Sequence, residues 1–237
     1  MGSIVWVPLG GPSMLAEPRP TTVERPTDTP SVEAWRVAGP LSGSGLMVVH
    51  DAWGVDREVR NLADALAATG YTVIAPDLAA GWLPQDAREA ELLAASISPE
   101  AAARVLAATI DALRAYPSVE RQRVGVIGLG MGAPLAAFLA TLRADVAAVI
   151  CAGPVPDLPA DTWGRADAAF LVLPPAEADD AVADASAWAD TLRTLGLDVT
   201  VAPAAVPAAD GEQPADPAAL VEWALPGARD FLARHLG

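Results

Sequence analysis

The chain has 237 residues, 52% of them hydrophobic, which is enough for one sizeable core and too little for two comfortable domains. All 15 basic residues are arginine, 30 residues are acidic, and the formal charge of -15 excludes the basic footprint that nucleic acid or an anionic membrane surface requires. No lysine is available for a Schiff base, the single Cys151 excludes an internal disulfide or a cysteine-rich zinc site, and His50 and His235 show no metal-ligand spacing.

Residues 1–30 carry Pro8, Pro12, Pro18, Pro20, Pro26 and Pro30, a density that forbids regular helix and predicts an extended or poorly ordered arm. The start lacks a basic segment followed by an apolar one, so a soluble protein of the cytoplasm is expected. Residues 31–237 read as one domain. They open with a short strand near Val32 to Val37, a turn over Pro40 to Gly45 and a buried strand from Leu46 to His50. A helix from Asp56 to Thr69 has Val59, Leu62, Leu66 and Ala67 on its apolar side and stops at Gly70. A strand at Tyr71 to Ala75 precedes an acidic, alanine-rich helical region from Gln85 to Tyr116, interrupted at Ser98-Pro99, where a new helix begins.

Next comes Arg123-Val124-Gly125-Val126-Ile127-Gly128-Leu129-Gly130-Met131-Gly132, a β-branched run that meets a glycine cluster and then an apolar, helix-favouring run to Leu142. The uncharged run Gly125 to Leu142 is nearly long enough to span a bilayer, but its glycines and Pro134 break it, and strand, sharp turn, helix is the reading. This is the layout of a nucleophile elbow, G-x-S-x-G, with glycine where the nucleophile stands. A strand at Val146 to Cys151, a loop rich in Pro and Asp, a strand at Ala168 to Leu173, a helix from Asp180 to Leu195, a strand at Asp198 to Ala202 and a helix from Pro217 to Leu236 follow. Strands alternating with helices call for a mostly parallel sheet covered on both faces.

The segments Val48-Val49-His50-Asp51-Ala52-Trp53-Gly54-Val55 and Gly70-Tyr71-Thr72-Val73-Ile74-Ala75-Pro76-Asp77-Leu78 resemble the dienelactone hydrolase family of α/β-hydrolases. That family shows an H-E-x-W-G turn, a helix, G-Y-x-x-x-x-P-D-L and later G-x-C-x-G-G. The resemblance runs from about Val32 to Leu236 and implies an α/β-hydrolase fold, a mostly parallel central sheet with helices on both faces. It places the family's catalytic cysteine on Gly130, flanked by Leu129 and Met131, and an oxyanion hole on the backbone N–H groups of Met131 and Ala52. The acidic triad member falls on Asp179, within Ala176-Glu177-Ala178-Asp179. The histidine position falls near Pro207, in Pro203-Ala204-Ala205-Val206-Pro207-Ala208, and no histidine lies between His50 and His235. Two of three triad positions are therefore expected to be lost.

His50 ends a buried strand and reads as a satisfied core histidine, with a role as base as the alternative. Asp51 replaces the family's glutamate and is either a carboxylate poised at the cleft floor or a turn residue. Cys151 sits next to the cleft but has nothing basic beside it to stabilise a thiolate, which favours a buried core thiol. His235 lies near a helix C-terminus and is given no chemistry. Trp53 and Trp82, with Leu129, Gly130 and Cys151, are the expected ligand-facing residues, and Ala79-Ala80-Gly81 lacks the arginine that family members acting on anionic lactones place there. These expectations favour a non-hydrolytic role on a small apolar molecule, as a cyclase, isomerase or lyase of a biosynthetic pathway or as a binding protein, with no cofactor. Two others stay open: an ester or lactone hydrolase using Asp51 or Asp179 to activate water, and a structural pseudoenzyme acting as a homodimer.

Overall fold

The computed structural model of the chain describes residues 2–9, 31–39, 43–119, 123–174, 180–202 and 225–237. Eight strands form one sheet in the order β1-β2-β4-β3-β5-β6-β7-β8. Residues 1–124 and 125–237 form two compact units.

The first unit holds β1 (Ser3–Pro8), β2 (Ser31–Val37), β3 (Gly45–Val49), α1 (Arg57–Ala68), β4 (Thr72–Pro76), α2 (Ala87–Ser96) and α3 (Pro99–Arg114). β1 lies within the proline-rich segment yet pairs antiparallel with β2 from Ser3 opposite Arg36 to Pro8 opposite Ser31. Pro8 closes the strand, where a missing N–H removes least from the ladder. β2 pairs antiparallel with β4, and β4 pairs parallel with β3. Every residue of β3 and β4 is buried, as the continuous apolar runs of a sheet covered on both faces demand. The helices begin at side-chain caps: Asp56 accepts from the Val59 N–H at 3.0 Å, Asp86 from Glu89 at 2.9 Å and Ser98 from Ala101 at 3.3 Å. Pro99 at the first position of α3 cannot extend α2, which explains the break.

The second unit holds most of β5 (Val124–Leu129), then α4 (Gly132–Leu142), β6 (Val146–Ala152), β7 (Ala169–Leu173), α5 (Ala181–Thr194), β8 (Val199–Val201) and α6 (Leu225–Leu236). The uncharged run divides into β5 and α4, and among the described residues no helix is long and apolar enough to cross a membrane. β6, β7 and β8 pair in parallel. The loop after β6 contains a 3-10 turn, Ala160–Arg165, that the polar sequence there does not announce. Its Trp163 is 1% exposed and meets Phe170 of β7 and Trp188 of α5 edge to face at 5.9 and 5.3 Å. Burial of one large ring, rather than local propensity, sets this turn. Of the helix expected from Pro217, residues 217–224 lie outside the described residues, as do Asp179 and Pro207.

Removing the ring should therefore matter more than removing a cap. In urea unfolding, Trp163→Ala is expected to lose about 3–5 kcal/mol, and Asp56→Ala only about 1 kcal/mol.

Candidate functional site

In the first unit, two turns at the carboxyl ends of β3 and β4 are joined by one imidazole. His50 is fully buried; its Nδ1 lies 2.6 Å from the Asp51 carbonyl, and its Nε2 accepts the Leu78 N–H at 2.9 Å. An acceptor at Nε2 requires the proton on Nδ1, so the ring is neutral with both nitrogens in use. Burial pushes the imidazole below its ordinary range, against opposing pulls from the Asp51 backbone bond and from Asp77, whose Oδ1 lies 4.0 Å away. His50 is thus a bridge between turns, in line with the core reading.

Asp51 is 8% exposed and its Oδ1 accepts the Trp53 N–H at 2.8 Å, the geometry of an Asx turn. The carboxylate is engaged in the turn, and the alternative of an unengaged acid at the cleft floor gives way to it. Asp77 does more than the sequence reading assigned to it. Its Oδ1 accepts from Ala79 at 2.8 Å and its Oδ2 from Gly81 at 2.6 Å, which holds the loop through Ala80 (φ 53°) and Gly81 (φ 86°) to Trp82. The signal was an aspartate at a strand end followed by small residues, the pattern of side-chain-capped turns. The loop then packs on the first turn: a Cβ on Gly54 (φ 83°) would stand 2.9 Å from the Trp82 carbonyl oxygen. Trp53 is half-buried and Trp82 is 39% exposed, so both retain accessible indole surface; Ala52 is half-buried.

In the second unit the elbow is formed as the glycine pattern predicts. Gly130 has φ 50°, the left-handed conformation, and joins β5 to α4. Its N–H donates to the Ala152 carbonyl at 2.8 Å and its carbonyl accepts the Ala133 N–H at 3.1 Å. A Cβ on Gly128 would overlap the Gly132 carbonyl oxygen and stand 2.6 Å from Ala133 Cα. A Cβ on Gly153 (φ 153°) would stand 2.8 Å from the Gly130 oxygen. Gly130 and Met131 are half-buried, and no side chain caps α4.

Two residues expected to face a ligand are corrected by their packing. Leu129, which ends β5, and Cys151, next to the end of β6, are 0% exposed, in strands whose residues are all buried. The Cys151 thiol lies 3.8 Å from the Ala133 carbonyl, which it can reach as a donor, and burial pushes its pKa up to about 12, so it is no nucleophile at neutral pH. His235, on α6, lies 3.5 Å from Asp198 and packs on Phe231. Among the described residues no three His, Cys, Asp or Glu gather as a metal site.

A βα-wound sheet with a left-handed strand-to-helix elbow defines the α/β-hydrolase fold. The dienelactone hydrolase family model matches residues 35–201, and the chain belongs to that family. Among solved structures it is similar to a dienelactone hydrolase from Anabaena variabilis, at 19% identity and a TM-score of 0.68, with 100% of this chain and 99% of that one covered. A dienelactone hydrolase-like promiscuous phosphotriesterase from metagenomic libraries matches at 20% identity and 0.70, over 87% and 94%. The Pyrococcus furiosus esterase Pf2001 matches at 15% and 0.63, over 89% and 88%. No curated protein sequence matches the chain.

Two outcomes test the site's construction. Because folding holds His50 neutral and lowers its pKa, the unfolded chain takes up its proton first. Stability should therefore fall as pH drops below about 6.5. His50→Asn should flatten that fall in unfolding curves taken between pH 8 and 5. Gly128→Ala forces backbone apart and is expected to lose about 1–3 kcal/mol or more in chemical denaturation.

Proposed function

We propose that this dienelactone hydrolase-family protein no longer hydrolyses esters or lactones and instead binds a small apolar molecule at the elbow, as a cyclase, isomerase or lyase or as a binding protein. The observation that carries this reading is Gly130 at φ 50°: the turn that aims a nucleophile in the resembling enzymes is kept, and its apex residue has no side chain. The chain's other candidate base and nucleophile support it. His50 spends both nitrogens on Asp51 and Leu78, and Cys151 is buried and protonated. An elbow without nucleophile or base still presents backbone N–H groups, which polarise a carbonyl or hold it in place.

Short-chain aryl esters and a dienelactone should be turned over no faster than in buffer, with no acyl adduct by mass spectrometry. Gly130→Cys alone should remain inactive, because triad members act as a unit and their joint loss costs on the order of a millionfold. Robust turnover by that variant would show that a base is already present. Gly130→Leu should abolish binding of the physiological ligand while the chain stays folded; retained activity would move the functional site away from the elbow.

A further inference from the structure

Arg36 is the penultimate residue of β2, opposite Ser3 of β1 and Ile74 of β4, and so shares a face of the sheet with both. Helix α3 packs on β1 and β4, and its following turn supplies Tyr116 and Ser118. Ser118 bonds Thr72 at 2.8 Å, two residues from Ile74 on the same face. Arg36 is only 9% exposed, yet among the described residues no carboxylate pairs with it, in a chain with twice as many acids as bases. Its guanidinium carbon stands 4.6 Å from the centroid of the Tyr116 ring, and its buried Nε has no hydrogen-bond partner.

A ring face offsets part of a buried cation's lost hydration, but it leaves the in-plane N–H groups without acceptors. Tyr116 does not supply the missing charge, because burial raises its phenol pKa and keeps it neutral. Stacking on one face fixes the guanidinium plane and leaves its edge for a planar or tetrahedral oxyanion, which an arginine fork grips through two parallel bonds.

We infer that Arg36, stacked on Tyr116, is a binding site for one small oxyanion group, a carboxylate or a phosphate, on the α3 side of the sheet. The site stands on residues that play no part in the elbow reading, so either can fail without the other. Arg36 pairs with the middle of β4, whereas the His50 and Asp77 turns lie beyond that strand's end. A chain of charge -15 repels anions at long range, so this binding relies on the short-range fork and is sensitive to salt.

The test is calorimetric titration and thermal unfolding of the full chain with inorganic phosphate, with acetate, and with chloride at matched ionic strength. A saturable response to phosphate or acetate, absent with chloride, is expected, and the responding salt identifies the group. Arg36→Met should weaken that binding by about tenfold or more, while its ligand-free unfolding midpoint stays level or rises because an uncompensated buried charge is gone. Should Arg36→Met not fold, Arg36→Lys decides: it keeps the charge, loses the fork and should bind more weakly. A wild-type chain that answers phosphate and acetate only as it answers chloride overturns the inference. So does a folded Arg36 variant that binds undiminished.

Discussion

The approach of backbone to backbone at the elbow sets the terms for the second unit. Gly128 meets the first turn of α4 so closely that a methyl group would overlap it, and Gly153 lies against Gly130 in the same way. With hydrogens at both places, β5 passes into α4 through one left-handed residue and keeps its hydrogen bond to Ala152. Catalytic members of such folds place a strained side chain at this apex; here the apex is the residue that adopts φ 50° without strain.

In the first unit the corresponding device is polar. One buried imidazole donates to the turn after β3 and accepts from the turn after β4, and Asp77 gathers the Ala79 and Gly81 N–H groups of the same loop. Both imidazole nitrogens and both Asp77 carboxylate oxygens have partners here, which buried polar groups require. The arrangement gives the Trp82 loop a fixed course although it contains Ala80 in a left-handed conformation. Both nitrogens of the histidine are taken up by the turns it joins, and each aspartate accepts backbone N–H groups of its own turn.

Strand and helix positions were legible because apolar runs, caps and breakers act locally. Asp56, Asp86 and Ser98 each cap the helix that their position announces, and Gly130 takes the positive φ that a glycine-rich elbow implies. The 3-10 turn around Trp163 was not legible, since its cause is contact with Phe170 of β7 and Trp188 of α5, in separate elements. Leu129 was read as ligand-facing because it adjoins the elbow in sequence, and Cys151 because it closes the strand after the elbow helix. In strands covered on both faces every residue is buried, whatever its distance from a site.

By itself the sequence determined the family, the order of elements, the acidic character and the absence of a nucleophile at Gly130, because each of these is written in residue types and short spacings. Only the tertiary structure decided how the ionisable groups are spent. Whether His50 is a base or a bridge, whether Asp51 stands alone or closes a turn, and whether Arg36 meets an acid or a tyrosine ring depend on burial and on partners from distant segments. A side chain's chemistry is set by its desolvation and its hydrogen bonds, and neither is encoded in its immediate neighbours.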